Sequence, residues 1–83
     1  MIESKEFLVK EDRKFKPRYI TIHDAILHSI REGKWMKGDR LPTEKEFCSA
    51  YGVSRITVVR ALAELEKEGL IERRRGSGSY VLL

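Results

Sequence analysis

Residues 43–68 leave this chain little choice of fold, because they encode two helices with a turn between them too short to let them separate. Thr43-Glu44-Lys45-Glu46 reads as a capping box. The Thr43 hydroxyl accepts the Glu46 amide, and the Glu46 carboxylate reaches back to the amide of Thr43. The helix that follows runs through Ala50 or Tyr51, with Phe47, Cys48 and Tyr51 turned inward, and Gly52 stops it. Val53 fills the turn and Ser54 caps the next helix, which runs to Glu68 and buries Val58, Ala61, Leu62 and Leu65. Two helices joined by a short turn containing glycine make a helix-turn-helix.

The flanking sequence completes the unit. Tyr19, Ile22, Ile26 and Ile30 recur at spacings of three and four, which predicts an amphipathic helix from Tyr19 to about Arg31, ended by Gly33. Trp35 is expected to plug the core from the connection, and residues 38–42 to form a turn leading into a very short extended piece. Gly69 closes the last helix. Residues 70–74 then read as a strand, Arg75-Gly76-Ser77-Gly78 as a hairpin tip and residues 79–82 as the returning strand. The expected fold is mainly α with a small β-hairpin, a three-helix winged helix-turn-helix over residues 18–83. Residues 1–17 are set apart as an N-terminal leader or basic arm, since Pro17 disfavours helix at Lys16.

With 83 residues, the chain makes one small domain with a thin core, which excludes a catalytic cleft enclosed by two lobes. Its 17 Lys and Arg against 13 Asp and Glu give a net charge of +4, which favours an anionic partner. One cysteine, Cys48, supplies no disulfide and no metal pair, and His23 and His28 are misplaced for two ligands on one helix face. No serine–histidine–aspartate set, paired catalytic carboxylates or phosphate-cradling glycine loop is present. No catalysis, cofactor or metal is therefore expected. The absence of a long apolar run and of a signal-peptide core points to a cytoplasmic protein without a membrane partner. Cys48, Trp35 and Tyr80 are expected in the core, and His23 and His28 at the surface or rim.

The candidate binding residues gather in three places. At the start of the third helix, Arg55 can pair with guanine O6 and N7, and Ile56 can pack on a thymine methyl. Ser54 and Thr57 can bond phosphates there. In the hairpin, strand alternation puts Arg73 and Arg75 on one side and Arg74 on the other, and the tip Arg75-Gly76-Ser77 can enter a minor groove. At the start of the second helix, Lys45, Thr43 and the nearby Arg40 suit contacts to the phosphate backbone. The competing reading is a winged helix used as a protein-interaction module, its basic wing meeting an acidic partner and its affinity for DNA blind to sequence.

Three blocks resemble the GntR family of bacterial transcription regulators. Gly33-Lys34-Trp35-Met36-Lys37-Gly38-Asp39-Arg40-Leu41-Pro42-Thr43-Glu44-Lys45-Glu46-Phe47 is similar to the family's G-x-L-x-x-G-D-R-L-P-[ST]-E-x-E-L block. Gly52-Val53-Ser54-Arg55-Ile56-Thr57-Val58 resembles its G-V-S-R-x-T-V block, and residues 68–81 resemble its wing. The resemblance covers about residues 18–82 and keeps order and spacing. It implies a domain that binds double-stranded operator DNA as part of a homodimer, usually a repressor. A small-molecule effector would act through a C-terminal domain that is absent from these 83 residues. It also implies DNA contacts at Arg40, Lys45, Ser54, Arg55, Thr57, Arg75, Gly76 and Ser77. One departure stands out. Where the family usually has a phosphate-binding Arg followed by Glu or Gln, this chain has Val59 and then Arg60, about 100° further round the helix, and Arg60 is the candidate to take over that contact.

Overall fold

Pro17 stands just outside the first helix as its N-cap, with φ −57° and ψ 144°. The structure, a computed structural model, describes residues 17–83, so residues 1–16 of the expected leader or arm lie outside the described residues. Three helices follow: α1 (Arg18–Arg31), α2 (Glu44–Tyr51) and α3 (Arg55–Lys67). Two antiparallel strands, β1 (Ile71–Arg74) and β2 (Gly78–Val81), complete the three-helix winged architecture expected from the sequence.

The third helix is the hub. Val58, Ala61, Leu62 and Leu65 are buried along one of its faces, as their spacing predicts. Against them pack Ile22, Ile26 and Ile30 of α1, Phe47 of α2, Leu41 of the connection, and Ile71 and Val81 of the hairpin. Each such aliphatic side chain contributes about 1.5–3 kcal/mol by leaving water, enough for this small set to hold five elements together.

The turn between α2 and α3 is set by local chemistry. Thr43 and Glu46 form both bonds of the capping box, at 3.1 and 2.8 Å. Gly52 adopts φ 65°, ψ 39°, a left-handed conformation that costs a residue with a Cβ far more. Its amide and that of Val53 both return to the Cys48 carbonyl, at 2.8 and 3.2 Å. Ser54 then caps α3 by accepting the Thr57 amide at 3.4 Å.

The expected extended piece before α2 lies alongside the hairpin. The Leu41 amide donates to the Ser79 carbonyl at 2.8 Å, and the Val81 amide to the Asp39 carbonyl at 2.9 Å. Arg40 thereby pairs with Tyr80 as a one-residue third strand, and Leu41 is drawn into the core.

Several expectations need correction. Tyr51 is 40% exposed rather than inward. It is the last residue of an eight-residue helix, so its ring reaches only the edge of the core, 6.2 Å from Phe47. Tyr80 is half-buried on the outer face of the hairpin, because Ser79 and Val81 take the inward register beside it. Cys48 is half-buried rather than enclosed. His23 and His28 lie at the rim and the surface, as expected, with side chains 14% and 69% exposed. Trp35 packs partly buried against the core, edge-on to Phe47. Among the described residues, no helix is long and apolar enough to cross a membrane.

Candidate nucleic-acid interface

The starts of α2 and α3, the Arg40 segment and the hairpin tip enclose one open groove of about 990 Å³. Its walls carry Arg40, Lys45, Arg55, Arg73, Arg74 and Arg75, opposed by only Glu44 and Glu66. Residues 17–83 hold twelve basic and nine acidic side chains. Half of the positive charge therefore lines this groove with two of the acids, and the rest of the described surface is close to neutral. Such segregation builds a local positive potential for a polyanion, which a net charge alone does not do.

At the start of α3, Arg55 is 79% exposed and donates through Nε to Glu44 Oε1 at 3.0 Å. Both terminal nitrogens of its guanidinium remain available as parallel donors. Ile56 beside it is 79% exposed, an apolar side chain held in water on the first turn. Ser54 and Thr57 bond each other, with oxygens 3.1 Å apart, while Ser54 also caps the helix. Their first task is thus to define where α3 begins. Thr43 does the same for α2, and its own hydroxyl proton is still available to a second acceptor.

The hairpin supplies the opposite wall. The Ser77 amide closes the tip on the Arg74 carbonyl at 2.9 Å, with Gly76 at φ 75°. Ser77 Oγ meets the Tyr80 hydroxyl at 2.6 Å, and the Arg74 guanidinium lies over the Tyr80 ring, 4.3 Å from its centroid. At Gly78 the chain has φ 126°, and a Cβ there would stand 2.9 Å from Arg40 Nε. Gly78 therefore lets the Arg40 guanidinium lie directly on the wing.

Eight of the predicted residues line the groove together: Arg40, Thr43, Lys45, Arg55, Arg73, Arg75, Gly76 and Ser77. Ser54, Ile56 and Thr57 stand at the start of α3 without lining it. Arg60 turns elsewhere. Its guanidinium lies 4.1 Å from the centre of the Tyr19 ring on α1. Sequence reasoning did not select Arg74, Glu44 or Glu66. Arg74 was visible as part of the three-arginine run, but the two acids become significant only through their partners, Arg55 and Arg73.

On the flank facing α1, His23 bonds Glu68 Oε1 at 2.8 Å and Asp24 Oδ1 at 2.9 Å, which ties α1 to the end of α3. Burial alone lowers the affinity of the imidazole for its proton. The two carboxylate hydrogen bonds and their charge outweigh burial, so the histidine titrates above its ordinary 6.5.

Comparison with known proteins places this geometry among regulators. The family model described as bacterial regulatory proteins, gntR family, matches residues 18–81. The probable fructoselysine utilization operon transcriptional repressor of Escherichia coli K12 is 38% identical over 63 residues, covering 76% of this chain and 26% of that protein. The histidine utilization repressor of Klebsiella aerogenes is 43% identical over 65 residues, covering 78% and 27%. The chain thus spans about a quarter of the length of these curated relatives. Among solved structures, AraR(DBD) in complex with operator ORE1 superposes with a TM-score of 0.77 at 34% identity, over 78% of this chain and 79% of that one.

Proposed function

The chain belongs to the gntR family of bacterial regulatory proteins, and from that premise we propose that it is the operator-binding part of a ligand-responsive transcriptional repressor. It binds double-stranded DNA with α3 in the major groove and the wing tip, residues 75–78, in the adjacent minor groove or on the backbone. Arg55 reads guanine and Ile56 meets a thymine methyl, while Ser54 and Thr57 hold phosphates at the helix start. Arg40, Thr43 and Lys45 grip the backbone beside α2. The wing adds Arg73, Arg75, Gly76 and Ser77.

The observation that carries this reading is the single groove in which six basic side chains converge between the start of α3 and the wing. Operator complexes of the structurally similar AraR(DBD) support it. The role is binding rather than catalysis, and it is exercised in the cytoplasm. In the full protein, homodimerisation would set two such domains on two half-sites. An effector bound elsewhere would alter their spacing or mobility, and so their joint affinity.

The test is selection from a random duplex pool, with this chain fused to a neutral dimerising module. Enrichment of a palindrome is expected. Salt-sensitive binding without enrichment would reduce the reading to non-specific association. No binding at all would favour the protein-interaction module.

A further inference from the structure

We propose that Arg73 provides, from the wing, the phosphate-binding charge that the middle of α3 lacks, acting from a seat against the backbone of Val59. This rests on the groove being the DNA interface. Between Arg55 and Lys67, α3 carries one cation of its own, Arg60, and that guanidinium is turned away onto the Tyr19 ring of α1. Beside it in the same turn stands Val59, apolar and half-buried, whose carbonyl is the one Arg73 reaches from the wing. The central stretch of α3 would therefore offer a polyanion no charge.

Arg73 fills that gap. It sits on the inner face of β1, in register with Ser79, and its side chain crosses to α3. There Nη1 donates to the Val59 carbonyl at 3.4 Å, and Nε stands 3.8 Å from Glu66 Oε1. Glu66 also accepts the Arg73 amide, through Oε2 at 3.3 Å. Glu66 thus acts as a positioning residue that holds both the backbone and the side chain of Arg73 against α3.

These partners place the guanidinium without using it up. The Val59 carbonyl already serves the helix ladder, so its bond to Arg73 is long and secondary. An ion pair at 3.8 Å between partly exposed groups is weak, and a phosphate oxygen at hydrogen-bond distance outcompetes it. Arg73 has five donors, its side chain is 34% exposed, and it lines the groove. A phosphate bound there is shared by wing and helix, which couples their docking.

The experiment measures binding of the dimerised chain to a mixed-sequence duplex by fluorescence anisotropy across a KCl series. It uses the native sequence, Arg73→Gln, Val59→Arg and the double variant. Glutamine keeps an N–H donor for the Val59 carbonyl and removes only the charge, and thermal melting checks that each variant folds. Loss of one phosphate contact lowers the log–log salt slope by about 0.9, which at 0.1 M salt is about an eightfold loss of affinity. That is the result expected for Arg73→Gln, whereas Arg73→Lys should keep the slope. In the Arg73→Gln background, Val59→Arg should restore both slope and affinity. In the native background it should add less than about twofold, because two guanidiniums would compete for one phosphate. An unchanged slope in Arg73→Gln would overturn the proposal, as would a full and equal gain from Val59→Arg in both backgrounds. Failure of the native protein to bind any duplex would instead overturn the reading of the groove as a DNA interface.

Discussion

Replacing Arg55 by Ala separates what the side chain does for the fold from what it does for recognition, because the two stakes differ in size. Among the described residues Arg55 has one ion-pair partner, Glu44 at 3.0 Å, and its side chain is 79% exposed. Exposed pairs of this kind contribute at most about 1 kcal/mol. For a domain of this length that is a fall in melting temperature of no more than about 8 °C. A bidentate contact to guanine is worth about 1–3 kcal/mol of discrimination, a factor of about 5 to 150 at its base pair. Arg55→Ala should therefore leave a folded protein whose preference at one position of each half-site has gone. The assay pairs a melting curve with anisotropy titrations on the selected duplex and on duplexes changed at single positions. An unchanged preference at every position would refute the base-reading role. A fall in melting temperature well beyond 8 °C would show that Arg55 supports the fold by a route its single ion pair does not reveal.

Three further outcomes are expected. His23 titrates above 6.5 in the folded chain, so its link to Glu68 and Asp24 adds stability below that pH and loses it as pH rises through the higher folded value. The stability advantage of the native chain over His23→Gln, measured by urea denaturation, should accordingly shrink with rising pH, and a constant difference would contradict the link. Gly78→Ala forces a side chain onto φ 126° and to within 2.9 Å of Arg40 Nε. It should cost about 1–3 kcal/mol and flatten the salt slope by displacing Arg40, and unchanged values of both would show that the wing relaxes freely. Thr43→Ala removes the hydroxyl of the capping box and should cost about 0.5–2 kcal/mol by denaturant titration, while Thr43→Ser should retain most of the stability.

Much of this domain is written in local signals. The capping box at Thr43, the left-handed Gly52 and the Ser54 cap each act within one helical turn, and the isoleucines of α1 recur along a single helix, so their meaning is legible without the rest of the chain. The short strand at Arg40 was legible too, as a turn followed by extended residues, although its partner was not. Two of the residues misjudged from sequence lie at an element end and on a two-sided strand. Tyr51 has an inward spacing but closes an eight-residue helix, and Tyr80 alternates with Ser79 and Val81, so its side of the strand depends on register.

The sequence by itself thus determined the order of the elements, their caps, most of the core and the cluster of cations near the wing. Only the tertiary structure decided what each cation faces. Arg60 goes to Tyr19 on α1, Arg55 to Glu44 on α2, Arg74 to Tyr80 across the hairpin, and Arg73 to Val59 and Glu66 on α3. The reason lies in reach and freedom. Backbone conformation answers to neighbours a few residues away, whereas an arginine has several rotatable bonds, and its direction is chosen by partners that folding brings from elsewhere in the chain.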